Sequence, residues 1–396
     1  MSVAIDQVVP AVHWATERPL RVLLVTQVFG GGAARHFFDL AQGLTARGVQ
    51  VVGIYSPHHL EANFRDRLND PGMPPMHGLR MRRSVHPLDS TDLWKLMRLI
   101  RRLGPFDVVH GHSSKGGALA RMAARPLGIR SVYTPHAMIT LDPTLSAWQR
   151  LLYGRIERWL SRHTAAIIAV SEDEASHVRS LGIAPHKIQV VPNGIDRPNF
   201  SNREQVRSQL GIAPDDSVIG FVGRLRTQKA PEVLLDAFAT ALGRRPNVHL
   251  LMVGGGPLQT DLGRRIEALG LASQVKLLGD VVATRFMPAF DIFCLSSRYE
   301  AMPYVYLEAL SAGLPIVSTR VGGATMCVEP DRNGLLVPPG DTPSLAAALT
   351  SLVDDRQLRQ RFAAASQQLA GRFTAQQMID RTLGVYTSVL VPEAHR

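Results

Sequence analysis

The chain has 396 residues and only two cysteines, Cys294 and Cys327, with no metal-ligand spacing between them. A disulfide framework and a cysteine-based zinc site are therefore not expected, and a reducing cytoplasm fits. No Asp-x-Asp occurs, nor a His-x-x-x-His pair on a helical stretch, so no metal or other cofactor is expected. Aromatic residues make up 6% and do not interleave with basic ones, which argues against a nucleic-acid partner. The longest apolar runs, such as Ala165–Val170 and Ser217–Val222, are strand-sized, so no membrane-spanning segment is expected. Residues 1–19 lack a basic start followed by an apolar run. They read as a poorly ordered lead-in rather than a secretory signal.

What is present is a globular composition, with 45% hydrophobic and 19% charged residues. That balance can bury a substantial core. The net charge of +11 is uneven, with +9 in residues 1–200 and +2 in the rest. Such an excess favours an anionic partner.

Strand-like and helix-like stretches alternate along the chain. Arg21–Phe29, Val49–Tyr55, Met81–Val85, Asp107–His112, Ser131–His136 and Ala165–Ser171 read as strands. Helical patterns such as Ala34–Arg47, Asp92–Leu103 and Lys115–Ala124 separate most of them. The alternation implies right-handed βαβ units and a parallel sheet. It pauses at Pro192-Asn193-Gly194, a turn signal, and restarts with Ser217–Val222, His249–Val253, Gln274–Leu278, Ile292–Leu295 and Pro315–Thr319. Residues from Pro343 to Leu390 read as helix. The expectation is an α/β chain of two Rossmann-like parallel-sheet domains, 20–195 and 196–373.

Ligands of open α/β sheets bind beyond the carboxyl ends of the strands. Gly30-Gly31-Gly32 follows the first strand, but Arg35 stands where a dinucleotide fingerprint needs its third glycine. The loop is either a flexible turn or a set of backbone N–H groups for a phosphate or sugar. His110, His112, Ser113 and Lys115 follow another strand and His136 a third; each histidine has either a structural or a catalytic reading. In the second half, Gly223-Arg224 and Lys229 are either a diphosphate clamp or two solvated cations. Glu300 and Glu308, eight apart around Met302-Pro303-Tyr304, are either sugar-hydroxyl acceptors or one exposed and one structural carboxylate.

Together these residues resemble a retaining glycosyltransferase of family 4, with the GT-B fold. The pattern comprises Gly31-Gly32-Ala33, Val108–Lys115, Thr134-Pro135-His136, Val191-Pro192-Asn193-Gly194-Ile195-Asp196, Gly223-Arg224-Leu225 with Lys229, and Gly254-Gly255-Gly256-Pro257. It continues through Glu300-x7-Glu308, Gly313-x-Pro315, Gly322-Gly323 and Gly334–Val337. The resemblance implies two domains facing a cleft, with a closing helix, 374–390, that returns to the first domain. It implies that Arg224 and Lys229 hold the nucleotide diphosphate and that Glu308 accepts from the ribose. Glu300, helped by backbone near Met302–Tyr304, would bind the donor sugar, and His136 would touch the sugar or the reacting centre. Gly31 and Gly32 would approach the diphosphate, and Gly254 and Gly255 would border the base. His110, His112, Ser113 and Lys115 would lie on the acceptor side. Ala301-Met302 and Ala230 depart from the family's usual Gly-Phe and Gly.

The expected activity is transfer of a sugar from a nucleotide-sugar to a glycan or polyprenyl-diphosphate-linked acceptor, in bacterial polysaccharide or glycan synthesis, without a metal. A nucleotide-sugar epimerase of the same fold, or an inactive nucleotide-sugar-binding protein, are the alternatives. Ser146–Arg162 places Trp148, Leu152, Ile156, Trp159 and Leu160 along one helical face, with Arg150, Arg155, Arg158 and Arg162 on or beside the other. Such a helix either fills the first domain's core or docks on an anionic membrane, as could the neighbouring segments Arg80–Arg83 and Arg98–Arg102. The second option makes the enzyme cytoplasmic and peripheral at the inner face of the cytoplasmic membrane.

Overall fold

The computed structural model describes residues 18–27, 30–82, 86 and 89–391. The chain divides into two compact units. One comprises the residues up to Asn193 together with those from Ala375 onwards, and the other Gly194–Thr374. The first holds strands β1 (Arg21–Thr26), β2 (Gln50–Tyr55), β3 (Met76–Gly78), β4 (Val108–His112), β5 (Arg130–Thr134), β6 (Ala166–Ala169) and β7 (Ile188–Val190). They form one parallel sheet in the order β3-β2-β1-β4-β5-β6-β7. The second unit holds β8 (Ser217–Val222), β9 (Val248–Val253), β10 (Val275–Gly279), β11 (Ile292–Leu295), β12 (Ile316–Thr319) and β13 (Gly334–Val337). These run parallel in the order β10-β9-β8-β11-β12-β13.

The near-continuous apolar strands follow from a sheet covered on both faces. In β1, Val22 and Leu24 point to one side, against Phe37, Phe38 and Leu40 of the helix Gly31–Ala46. Leu23 and Val25 point to the other, with Leu96 and Ile100 of Asp89–Leu103 and Leu119 of Ser114–Ala124. Period-two alternation thus feeds two separate cores from one strand. The final helix, Ala375–Leu390, joins the first of these cores through Met378, Ile379, Leu383, Tyr386 and Val389. It packs so closely on Gly31–Ala46 that a Cβ on Gly43 would sit 2.1 Å from Ile379 Cδ1.

Strand order reverses between β1 and β4 in one sheet and between β8 and β11 in the other. At such a switch point the loops at the strand carboxyl ends part and leave a crevice. These two pairs of strands carry most of the candidate residues.

The strand expected at Met81–Val85 is not formed at its described end. The third strand lies earlier, with Met76 paired to Gly53 of β2. Met81 is buried, but its backbone N–H and carbonyl are both bonded by the Ser56 hydroxyl, at 3.2 and 3.1 Å. A side chain therefore satisfies what a ladder would have satisfied. Residues 83–85 lie outside the described residues, as do 1–17 of the lead-in and Val28 and Phe29 of the first run.

Candidate active site

In the second unit, β8 ends at Gly223 and β11 leads through Ser296–Glu300 to the helix Tyr304–Ser311. Lys229 Nζ meets Glu300 Oε1 at 2.6 Å, and both side chains are largely buried. Ser297 Oγ donates to the same carboxylate oxygen at 2.7 Å. The two loops also bind each other through backbone. Arg298 N donates to Gln228 O at 2.8 Å, Gln228 Nε2 to Tyr299 O at 3.1 Å, and Ser296 Oγ to Ala230 O at 2.9 Å. Two candidates that the sequence treats separately, a diphosphate cation and a sugar carboxylate, thus form one ion pair. Arg224 lies at the mouth of the same loop. Burial of part of its guanidinium and the nearby Arg226 lower its pKa, while Asp280 raises it. Glu308 is buried on the helix that begins after Pro303, with Met302 and Tyr304 buried beside it.

Glycine makes this assembly sterically feasible. Gly254, at φ +128°, lies so near the Gly223 loop that a Cβ would stand 2.2 Å from Gly223 O. Gly323, at φ +74°, would place a Cβ 2.6 Å from Ala301 O. Only a residue without a side chain lets the 254–256 and 322–323 loops seat against the Arg224 and Glu300 loops. Gly255 is tied in by Leu225 N donating to its carbonyl at 2.9 Å. Ala230, the departure noted in the sequence, adopts the left-handed conformation at φ +46° that glycine would take without strain.

The corresponding edge of the first unit is built from histidine. His112 Nδ1 and His136 Nε2 are 3.1 Å apart, and the His36 ring lies 4.6 Å from His136 and 5.6 Å from His112, centre to centre. His36 Nδ1 is 3.0 Å from Asn193 Oδ1. One ring nitrogen from each of His36, His112 and His136 lies within 4.8 Å of the others, a group that could hold a metal ion. Burial lowers the pKa of all three, His36 to about 4, and their mutual proximity adds to the effect for His112 and His136. His136 and Ala137 both have positive φ, +56° and +73°, and Ser113 has +62°. Such strain in non-glycine residues persists only where surrounding structure enforces it. At Ala137 the holding group is Glu174, a buried carboxylate that accepts from Ala137 N and Val170 N, each at 2.9 Å.

His36 and Glu174 were not singled out in the sequence, because each joins the edge from a different element, and Asn193 was read there only as part of a turn and of the family pattern. His110 is corrected. It is fully buried, with Nδ1 2.6 Å from Tyr386 Oη and Nε2 2.8 Å from Thr134 Oγ1, which leaves no ring nitrogen for an acceptor. Lys115 pairs with Asp89 at 2.7 Å, and Ser113 is buried at the start of its helix. Gly31 and Gly32 are exposed at the first turn of Gly31–Ala46, and the Gly31 N–H donates to the Glu61 carboxylate at 2.9 Å. A carboxylate therefore already sits where the sequence suggested a phosphate.

The helix Ala147–Ser161 does not bury its aromatic stripe. Trp148 is 65% exposed, and Leu151, Leu152, Ile156 and Trp159 are also exposed; Leu160 instead faces the core. Glu157 on the inner face pairs with buried Arg121 at 2.9 Å, and the Arg121 guanidinium lies 3.8 Å from the centre of the Tyr133 ring. This pair fixes which face looks inward. Arg150, Arg155, Arg158 and Arg162 are exposed. On the helix Asp89–Leu103, Trp94 is exposed with Arg98 stacked over it at 5.6 Å. No helix among the described residues is long and apolar enough to cross a membrane.

Residues 30–197 match the family described as Glycosyltransferase Family 4, and residues 202–369 match Glycosyl transferases group 1. An Escherichia coli UDP-Gal:alpha-D-GlcNAc-diphosphoundecaprenol alpha-1,3-galactosyltransferase is 30% identical over 315 residues, covering 76% of this chain and 80% of the relative. A D-inositol 3-phosphate glycosyltransferase of Jonesia denitrificans is 30% identical over 307 residues, 72% of each chain. In fold, the chain is similar to Anabaena HepE in complex with UDP and glucose, with a TM-score of 0.80 and 24% identity, covering 94% of this chain and 100% of that one. It is also similar to WaaG, a glycosyltransferase involved in lipopolysaccharide biosynthesis, with a TM-score of 0.74 and 20% identity, covering 93% and 100%.

Proposed function

Because the chain belongs to the glycosyltransferases of family 4 and group 1, we propose that it transfers a sugar from a nucleoside-diphosphate donor to a polyprenyl-diphosphate-linked acceptor. The transfer retains the anomeric configuration, needs no metal ion, and serves bacterial surface-glycan assembly. The observation that carries this reading is the buried Lys229–Glu300 pair at the switch point of the second sheet. Breaking a glycosyl–phosphate bond builds negative charge on the departing diphosphate and positive charge on the sugar ring. Lys229 and Arg224 are cations at that point, and preorganised charge stabilises a transition state without reorganisation. Both recorded contacts of the Glu300 carboxylate fall on Oε1. In this reading its other oxygen takes a hydroxyl of the donor sugar, with backbone of Met302–Tyr304 assisting. Glu308 takes the ribose, Gly254 and Gly255 border the base, and His136 acts at the reacting centre.

A lipid-linked acceptor accounts for the exposed Trp148, Ile156 and Trp159 beside four exposed arginines. Aromatic side chains settle at a bilayer interface and arginines bind anionic headgroups. The first unit then docks peripherally through this helix, with Trp94 and Arg98–Arg102 alongside.

Donor-dependent nucleotide release over a panel of UDP- and GDP-sugars, with a polyprenyl-diphosphate sugar as acceptor, tests the activity. The product's anomeric configuration by NMR tests retention, and a chelator arm tests metal independence. Conversion of donor without acceptor would favour an epimerase. Co-sedimentation with anionic vesicles that salt reverses, and none with neutral vesicles, is expected for docking; equal recovery with both would refute it.

A further inference from the structure

We propose that His36, His112 and His136 bind a divalent transition-metal ion of the zinc or cobalt class, and that the ion holds the enzyme inactive by occupying His136. The inhibitory consequence rests on the transferase reading; the site itself does not.

Three features carry the inference. First, the three rings come from the helix Gly31–Ala46, the end of β4 and the turn after β5, and each brings a nitrogen within 4.8 Å of the others. The 3.1 Å between His112 Nδ1 and His136 Nε2 is close to the separation of two imidazoles on a tetrahedral ion with Zn–N bonds of about 2.0–2.1 Å. Second, His36 Nε2 is buried and lacks a hydrogen-bond partner among the described residues. With Asn193 Oδ1 accepting at 3.0 Å, His36 carries its proton on Nδ1 and presents Nε2 as a lone pair. That is the arrangement of a metal-bound histidine oriented by a second, outer partner. Third, all three donors are imidazoles, the side chain most often found on transition-metal ions. Imidazole donors select zinc, cobalt, nickel or copper over magnesium or calcium. His110 adjoins His112, with ring centres 4.0 Å apart, but both its nitrogens are engaged, so it is not a fourth ligand. The fourth position is left to water or substrate, as in three-histidine zinc sites. An ion there ties up the lone pair of His136 and pins the turn that carries it.

Untagged full-length protein, stripped with chelator and dialysed against zinc chloride, is expected to retain one equivalent. X-ray absorption of this zinc-loaded wild-type protein should show three imidazoles. His36→Leu and His112→Leu should each lose tight binding. Asn193→Ala, which removes the outer partner of His36, should weaken it about 10–100-fold. The wild-type stoichiometry and ligand count do not depend on any variant folding. No retained zinc, fewer than three imidazoles, or wild-type affinity in a folded His36→Leu protein would overturn the site. In the transfer assay, inhibition should follow zinc occupancy and reverse with chelator; full turnover with the equivalent bound would overturn the inhibitory role. Absence of any transfer activity would count against the function proposed above and leave the binding result to decide the site.

Discussion

The two sheets carry their candidate residues at equivalent places, yet the two edges are made of opposite materials. The second unit's edge is charged and lined with glycine: Lys229 against Glu300, Arg224 on the same loop as Lys229, and Gly254 and Gly323 admitting neighbouring backbone. The first unit's edge is neutral and strained. Its histidines are kept uncharged by burial, and its tight backbone positions fall on Ser113, His136 and Ala137. A site that meets a departing diphosphate gains from fixed positive charge. A site that meets a sugar or a lipid-linked hydroxyl gains from hydrogen-bonding rings whose charge does not change. In the function proposed above, this contrast gives the departing diphosphate to the second unit and the acceptor to the first.

The comparison can be broken most severely at the charged edge. Lys229→Ala and Glu300→Ala should each reduce transfer by about 10²–10³. Each also strands a buried partner, so unfolding free energy should fall by several kcal/mol, of order 3–5. Near-normal turnover in either variant would remove the charged edge from the mechanism. The next effect belongs to the first unit, whose core is completed by a helix from the far end of the chain. Ile379→Ala should lower stability by about 2–5 kcal/mol in urea unfolding, whereas Leu390, exposed on the same helix, should tolerate alanine.

Acid should also separate the two edges. The folded-state pKa of His36 is about 4, and those of His110, His112 and His136 lie well below the ordinary 6.5. Between these values the unfolded chain takes up protons that the native one refuses, so stability falls as pH drops below about 6.5. Glu174, raised by burial, works in the opposite direction and partly offsets this loss. Urea midpoints measured from pH 7 to pH 4.5 should fall, and in His36→Leu the fall should be shallower. A pH-independent midpoint would show that the histidine edge is not buried in solution. The smallest effect on stability is expected from Trp148→Ser with Trp159→Ser, within about 0.5 kcal/mol for each exposed site. The same pair should abolish sedimentation with anionic vesicles; retained sedimentation would shift docking to the arginines alone.

Much of this architecture is readable from local pattern. Continuous apolar runs such as Ser217–Val222 mark strands buried on both faces, and glycine-rich turns after them mark carboxyl ends, because both signals are local consequences of covering a parallel sheet. Short strands escape such reading: β3 and β7 have three residues each, too few to show a period. The segment around Met81 shows the converse, an apolar stretch whose backbone is satisfied by Ser56.

Sequence by itself determined the α/β class, the family pattern, and the placing of Arg224, Lys229 and Glu300 in loops after strands with Glu308 on the helix that follows, since each depends on neighbours within a few residues. Only the tertiary structure decided that Lys229 and Glu300 form an ion pair at 2.6 Å, that His110 belongs to the core, and that His36 joins His112 and His136. It also decided which face of Ala147–Ser161 is buried, through Glu157 meeting Arg121. In each case the deciding contact spans tens of residues or more, and the energy of a buried charge or an unpartnered ring nitrogen depends on what the fold brings beside it.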